Sequence, residues 1–87
     1  DALQTLQASP LTFHVLTERG ATGFAVSDAE VGAAMRFAYR EMGLVVEPGG
    51  AAGLAVLLSG KIAPAGRTLV ILSGGNVEPA VFERMTA

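Results

Sequence analysis

The stretch LVILSGGN, Leu69–Asn76, joins an apolar run directly to a polar, glycine-rich turn. Leu69–Leu72 are all apolar, which is typical of a parallel strand that is covered on both faces. The turn Ser73–Asn76 ends this run abruptly. Because ligands in open α/β sheets bind outside the carboxyl ends of the strands, the stretch predicts a buried strand, Thr68–Leu72, that ends at a binding site.

A second glycine-rich break, Glu47–Gly50 (EPGG), follows the short apolar segment Leu44–Val46. Each break leads toward a predicted helix, Ala51–Ser59 in one case and Glu78–Met85 in the other. A helix N-terminus favours an anionic or electron-rich partner, and glycines let the backbone approach a ligand closely. A loop that merely turns a strand into a helix has a similar composition, so both interpretations stay open on these residues alone.

Two helices are predicted before these breaks. Ser9-Pro10 supplies an N-cap and a first-turn proline for a helix that ends at Gly20. Ser27-Asp-Ala-Glu30 is a capping box for a second helix that ends at Gly43. The predicted apolar face of that second helix follows helical spacing and comprises Val31, Ala34, Met35, Ala38 and Met42.

Strand signals lie between the helical ones. Thr22–Ser27 predicts a short strand with Phe24 and Val26 on one face. Helices and strands therefore alternate along the chain. Such alternation predicts an α/β fold in which a layer of parallel strands carries helices on both faces.

Composition narrows the class of protein. The 87 residues are enough for one modest domain, yet 51% of them are hydrophobic and only 16% are charged. Such a chain has more apolar surface than a free domain of this size needs, so we expect it to pack against the rest of a longer chain or another protomer.

Charge and residue usage exclude several functions. A net charge of −2 gives no electrostatic footprint for nucleic acid, and no apolar run approaches the ~18 residues of a membrane span. The absence of cysteine excludes disulfides, thiolate metal sites and a cysteine nucleophile. No signal peptide is recognisable and the first residue is Asp1, so we expect a cytoplasmic protein whose N-terminal part is missing here.

The residues that could do chemistry form no complete catalytic set. Lys61 is the only lysine and falls in a predicted turn, whereas His14 is the only histidine and falls in the first helix. No Ser-His-Asp order, metal-ligand spacing or phosphate-binding loop is present. Glu47 and Glu78 could form a carboxylate pair, but the dipole of the following helix already explains Glu78.

Taken together, the motifs resemble a known family. VVEPGGAAGLAVLLSGK (45–61) followed by LVILSGGNV (69–77) resembles the C-terminal part of the catalytic domain of serine/threonine dehydratases. These are fold type II pyridoxal-phosphate enzymes, a group that includes serine racemase. SPLTFHVL (9–16) and VSDAEVGAAMRFAYREMGLVVEP (26–48) are similar to the family's preceding helices, so residues 1–87 would be one segment of the large domain, incomplete on its own.

The resemblance implies pyridoxal 5'-phosphate as cofactor and assigns roles by position. Ser73 would face the pyridine nitrogen, where a neutral hydroxyl leaves the ring a milder electron sink, suited to β-elimination. Glu47 would lie near the cofactor, its alternative role being to cap the next helix, and Ala2 would lie close to the bound amino acid. The remaining cofactor-binding positions shape the loop beneath the ring: Gly74, Gly75 and Asn76. The Schiff-base lysine and any metal ligands are expected upstream, and Lys61 matches no such motif.

The activity implied for the complete enzyme is dehydration and deamination of threonine or serine to a 2-oxo acid and ammonia. Alternatives are a racemase, a hydroxyaspartate dehydratase, or a non-catalytic binding or interaction module. Gly43 stands where the racemase has a lysine associated with nucleotide binding, which weakens the racemase reading. The expected partners are an amino-acid substrate, the rest of the catalytic domain and a second protomer, and the 87 residues alone are expected to be inactive.

Overall fold

A computed structural model describes residues 9–87, so Ala2 lies outside the described residues. Four helices follow one another within these described residues: α1 (Pro10–Glu18), α2 (Asp28–Met42), α3 (Pro48–Leu58) and α4 (Pro79–Thr86). No strand is formed within residues 9–87.

The predicted helix ends at α1 and α2 are confirmed by hydrogen bonds. The Ser9 hydroxyl accepts a hydrogen bond from the Thr12 amide at 3.2 Å. At α2 both halves of the capping box form, because the Glu30 amide donates to the Ser27 hydroxyl and a Glu30 carboxylate oxygen accepts from the Ser27 amide. Gly43 then ends α2 in the left-handed region at φ 67°, a conformation that glycine adopts without a Cβ penalty.

The core is small and lies where α2 packs against α3. Its buried apolar residues come from the predicted face of α2, from α3 and from the segment between them: Val31, Ala34, Met35, Ala38, Val46, Ala51, Leu54 and Ala55. Met42 was predicted on the same face but is 44% exposed at the last position of α2.

The predicted parallel sheet is absent from residues 9–87. A strand needs a hydrogen-bonded neighbour, and the segments Thr22–Ser27, Leu44–Val46 and Thr68–Leu72 do not pair with one another in ladders. One hydrogen bond connects the chain just after Leu44–Val46 to the chain just after Thr68–Leu72: the Glu47 amide donates to the Gly74 carbonyl at 3.1 Å. Val26, Val70 and Leu72 nevertheless pack against the core as their apolar character predicts.

Helix α3 begins three residues earlier than the sequence suggested. Pro48 occupies its first position, so Pro48-Gly49-Gly50 form the first helical turn rather than a loop. Proline suits this position because its missing N–H would have had no partner inside the helix. Helix α4 likewise begins with proline, at Pro79, and Glu78 is its N-cap rather than a residue of its first turn.

Helix α4 docks on α2 through close backbone approach, an aromatic contact and a guanidinium. A Cβ added to Gly32 would overlap the Met85 carbonyl oxygen. The rings of Tyr39 and Phe82 meet edge to face, with centroids 5.4 Å apart. Arg36 donates hydrogen bonds to the carbonyls of Thr86 and Ala87 at 2.9 and 3.0 Å, which satisfies acceptors at the end of α4.

Much apolar surface is left uncovered in the described part of the chain. Helix α1 buries none of its residues. Leu69 and Ile71 are 89% and 74% exposed, whereas Val70 and Leu72, which alternate with them, face the core. Among residues 9–87, no helix combines the length and apolarity needed to cross a membrane.

Candidate functional site

The two predicted glycine-rich breaks come together in space. The bond from the Glu47 amide to the Gly74 carbonyl connects the start of α3 to the turn that follows Leu72. A Cβ added to Gly75 would lie 2.7 Å from the Val45 carbonyl oxygen, so these two backbones are also in close contact. The carboxyl ends of the two segments that were predicted as strands therefore meet at one edge, as a shared binding site requires.

Gly74 accommodates the Glu47 side chain. Its φ is +73°, and a Cβ built there would overlap the Glu47 carboxylate oxygen Oε1. Any other residue would thus be strained in its backbone and would displace the carboxylate. Glu47 is half-buried and its carboxylate makes no capping hydrogen bond to α3, so the alternative role of Glu47 as a side-chain cap is not observed.

Gly50 makes the corresponding contact with Ser73. Gly50 is buried in the first turn of α3, and a Cβ built on it would overlap the Ser73 carbonyl oxygen. The Ser73 side chain belongs to an exposed residue, and its hydroxyl makes no hydrogen bond to any residue in the range 9–87. The turn thus fixes the Ser73 backbone and leaves its hydroxyl available to a ligand.

A cavity of about 400 Å³ opens beside this junction. It lies between the N-termini of α3 and α4, and the residues that line it are Glu47, Pro48, Gly49, Asn76, Val77, Glu78, Val81 and Arg84. Two carboxylates, one amide and one guanidinium therefore face a common space. Of the predicted cofactor-binding residues, Glu47 and Asn76 line this cavity, whereas Ser73, Gly74 and Gly75 lie in the adjoining turn.

Lys61 and His14 lie away from this site, as the sequence suggested. Lys61 forms an ion pair with Glu30, with Nζ 2.8 Å from Oε2. This hydrogen bond, together with the one from the Ser27 amide, lowers the pKa of Glu30 below its ordinary value. His14 lies on exposed α1, 3.7 Å from Glu18. No cluster of three or more potential metal ligands exists among residues 9–87.

Sequence reasoning missed three residues at the site. Gly50 was recognised as part of a glycine-rich break, but its contact with Ser73 depends on a residue 23 positions away in the chain. Arg84 and Val81 reach the cavity only because α4 folds back onto α2. Helical spacing could have placed Val81 on the same face as Glu78. No local signal, however, predicts that this face lines the cavity.

Comparison with known proteins assigns the chain to a family. The sequence profile of the family described as "Pyridoxal-phosphate dependent enzyme" matches residues 1–74. The chain therefore belongs to this pyridoxal-phosphate-dependent enzyme family, as its motifs indicated. No solved structure gives a significant match to the chain.

Three relatives match the chain over part of their own length. The chain is 39% identical over 79 residues to an L-threo-3-hydroxyaspartate ammonia-lyase of a Pseudomonas species, and the match covers 90% of this chain and 25% of that protein. It is 43% identical over 54 residues to a Sinorhizobium fredii protein named "Putative threonine dehydratase", with 61% and 16% covered. It is 36% identical over 69 residues to a beta-hydroxyaspartate dehydratase of Paracoccus denitrificans, with 78% and 22% covered. The chain thus spans a quarter or less of the length of these relatives.

The residues at the junction fit one wall of a pyridoxal-phosphate site. The turn presents an exposed serine hydroxyl, which can hydrogen-bond a ring nitrogen without holding a proton on it. Gly74 and Gly75 let the turn lie directly against the Glu47 side chain and the Val45 carbonyl, since a Cβ at either position would crowd these groups. The phosphate cradle and the lysine that would hold the cofactor are not found at this junction, so the fit concerns the ring alone.

Proposed function

We propose that the complete protein is an ammonia-lyase that dehydrates and deaminates a β-hydroxy α-amino acid to a 2-oxo acid and ammonia. Membership of the family and the names of the relatives support this reaction class. The observation that carries it is the junction itself, where α3 holds the Ser73–Asn76 turn with the serine hydroxyl exposed and the Glu47 carboxylate against Gly74.

When bound, pyridoxal phosphate supplies an electron sink that makes the α-proton of an amino acid removable. Ser73 would hydrogen-bond the pyridine nitrogen and so help to hold the ring at the turn. A neutral hydroxyl leaves this nitrogen free of an imposed charge, which favours elimination of a β-substituent over reactions that need a stronger sink. Glu47 would lie near the ring and help to set its electrostatic environment, while Gly74, Gly75 and Asn76 shape the loop. Ala2 would lie near the substrate, outside the described residues.

Threonine and serine are the first candidate substrates, because the motifs resemble those of serine/threonine dehydratases. A hydroxyaspartate is the second candidate, because two of the relatives, one of which covers 90% of this chain, are named for that substrate. The two candidates share the same elimination and differ only in a methyl group or a hydrogen versus a carboxylate on the β-carbon.

The complete domain would also carry the parallel sheet that residues 9–87 lack. The C-terminal ends of Leu44–Val46 and Thr68–Leu72 lie next to each other. Side chains in the second segment also alternate as in a strand, with Val70 and Leu72 toward the core and Leu69 and Ile71 exposed. Pairing with strands from the remainder of the chain would complete the α/β layer. We further propose that the protein acts in the cytoplasm as a homodimer.

A substrate panel tests the proposed reaction. The full-length protein, loaded with pyridoxal phosphate, is incubated with L-threonine, L-serine and L-threo-3-hydroxyaspartate, and both 2-oxo acid and ammonia are measured. We expect the two products in equal amounts from at least one of these substrates and none from L-alanine, which has no β-hydroxyl to lose. Racemisation without ammonia, or cofactor binding with no turnover of any of the three, would contradict the proposal.

A further inference from the structure

Gly50 lies against Ser73 without room for a side chain. A Cβ built on Gly50 would overlap the Ser73 carbonyl oxygen, would lie 2.7 Å from the Ser73 carbonyl carbon and would lie 3.0 Å from Val46 Cγ1. The first two contacts are with backbone atoms, which cannot be relieved by rotation of a side chain. Some part of the structure would have to move if position 50 carried any residue other than glycine.

A side chain at position 50 would displace the turn more readily than the helix. Behind Gly50, α3 is anchored in the core by Ala51, Leu54 and Ala55, which are at most 7% exposed. Ser73–Asn76, in contrast, are all exposed. Displacing tightly packed side chains costs more than displacing an exposed turn, so a side chain at position 50 would push Ser73 outward.

We propose that Gly50 is a positioning residue that sets the location of the Ser73 hydroxyl and, through it, the hold on the cofactor ring. This inference rests on the proposed function, because Ser73 must contact the cofactor for its position to matter. Gly50 does not touch the ring in this view; its lack of a side chain lets the first turn of α3 lie directly on the Ser73 carbonyl. A displacement on the order of 1 Å at such a site can reduce a rate about 100-fold.

Gly53 provides a matched control on the same helix. A Cβ built on Gly53 would lie 3.7 Å from Val70 Cγ1 and 3.8 Å from the Ile71 carbonyl oxygen, which is ordinary van der Waals contact. Gly50→Ala and Gly53→Ala thus make the same chemical change in α3, three residues apart. Only the first is expected to move Ser73.

The test measures cofactor binding rather than turnover alone. In the full-length protein, the apparent dissociation constant of pyridoxal phosphate is determined from the visible absorbance of the bound cofactor, together with the position of that band. We expect Gly50→Ala to weaken binding about tenfold or more and to shift the band, since one lost hydrogen bond of about 1.4 kcal/mol corresponds to a factor of 10. Gly53→Ala should leave both quantities within about twofold of the wild type.

A double-mutant cycle separates this role from a merely structural one. If Gly50 acts through Ser73, adding Gly50→Ala to Ser73→Ala should weaken binding little further. An equal loss in both backgrounds, or no loss from Gly50→Ala alone, would overturn the positioning role. If Ser73→Ala itself left cofactor binding and the band unchanged, the proposed function of Ser73 would fail instead, and the two failures are thus distinguishable.

A second variant keeps the test open should Gly50→Ala not yield folded protein. Val46→Ala removes Cγ1, which lies 3.0 Å from where a Cβ on Gly50 would be, and the space this leaves should let the first turn of α3 shift away from Ser73. A smaller loss of cofactor affinity is expected, again present only when Ser73 is intact. A loss of equal size in the Ser73→Ala background would contradict the inference.

Discussion

Ser73 combines a fixed backbone with an exposed hydroxyl, and this combination makes it the residue on which the proposed chemistry depends. Its carbonyl lies against Gly50, while the next residue, Gly74, accepts a hydrogen bond from the Glu47 amide. A side chain on a turn held in this way loses little conformational entropy when it binds a ligand. The hydroxyl is therefore preorganised for binding.

Replacing Ser73 by alanine should affect the cofactor and leave the fold intact. In the full-length protein we expect Ser73→Ala to lower kcat/KM about tenfold, the equivalent of one hydrogen bond, and to shift the visible absorbance of the bound cofactor. Steady-state kinetics and an absorbance spectrum measure both effects. Ser59→Ala is the control, because the Ser59 hydroxyl donates to the Val56 carbonyl at the other end of α3. Wild-type kinetics in Ser73→Ala would remove Ser73 from the site.

Glu30 uses both carboxylate oxygens, one for the Ser27 amide and one for Lys61, and these contacts lower its pKa. A carboxylate with a lowered pKa in the folded state stabilises the protein above its ordinary value of 4.5, and this contribution disappears as the pH falls through the folded-state value. Glu30→Gln should therefore lower Tm at neutral pH and reduce the loss of Tm on acidification below about pH 4.5.

The measurement for Glu30 is the Tm of the full-length protein as a function of pH. Glu41→Gln serves as the control, because Glu41 is exposed and makes no ion pair within residues 9–87. We expect Glu41→Gln to follow the wild-type curve. Parallel curves for Glu30→Gln and the wild type between neutral and acidic pH would contradict the assigned role of Glu30.

Local signals explain which residues could be predicted from the sequence. The capping box of Ser27 and Glu30 is specified within four residues, so it was predictable and is confirmed. Glu47 and the Ser73–Asn76 turn were assigned to one cofactor only through the family resemblance, and the bond from the Glu47 amide to the Gly74 carbonyl brings them together. The contact of Gly50 with Ser73 was not predictable, because it depends on the relative placement of α3 and the turn, which no local pattern encodes.

At the scale of elements, α2 is the scaffold on which α3 and α4 are placed. Helix α4 depends on Gly32 for its close approach and on Arg36 for the acceptors at its C-terminal end. Its own N-terminus lies at the cavity, where Glu78 and Arg84 contribute to the lining. The docking of α4 on α2 therefore determines the shape of one side of the candidate site.

Enlarging Gly32 should loosen this docking. Gly32→Ala would place a Cβ on the Met85 carbonyl oxygen and force the two helices apart, at a cost of about 1–3 kcal/mol in the free energy of unfolding. Urea unfolding of the full-length protein measures this cost. Gly53→Ala is again the control, and it should be neutral or stabilising by up to about 1 kcal/mol because alanine is the better helix former. Equal stability of the two variants would argue against the close packing at Gly32.

The positions of the helices were predicted better than the contacts between them. The starts of α1 and α2 followed from serine caps, whereas the start of α3 was placed too late because Gly49 and Gly50 were interpreted as helix breakers. Glycine is tolerated in a first turn, and Pro48 before it is a strong start signal. Binary pattern and capping thus identified the helices, but the packing of α4 on α2 depends on contacts between residues more than 40 positions apart.

At the scale of the whole molecule, the most informative feature is the apolar surface that remains uncovered. Leu69 and Ile71 alternate with core-facing Val70 and Leu72 and are exposed. Burying each of these large apolar side chains would stabilise the fold by about 1.5–3 kcal/mol, so we expect the rest of the protein to cover them. The chain corresponds to only a quarter or less of its relatives. The strands predicted from the sequence do not form within residues 9–87, since a sheet needs neighbours that these residues do not supply.

Leu69→Ala should therefore destabilise the full-length protein even though Leu69 is 89% exposed here. We expect a loss of about 2–5 kcal/mol in the free energy of unfolding, the usual cost of truncating a buried leucine. Arg67→Ala, at an exposed, charged position just before this segment, should change stability by no more than about 0.5 kcal/mol. Chemical denaturation measures both, and a Leu69→Ala variant as stable as the wild type would show that this face stays uncovered.

The edge-to-face contact of Tyr39 with Phe82 has a consequence for spectroscopy. The 87 residues contain a single tyrosine and no tryptophan, and that tyrosine lies on α2 with its ring against α4. Its ultraviolet absorption and emission depend on the polarity and rigidity around the ring. Within these 87 residues Tyr39 is thus an optical reporter of whether α4 is docked, and it would follow a movement of this helix without an attached dye.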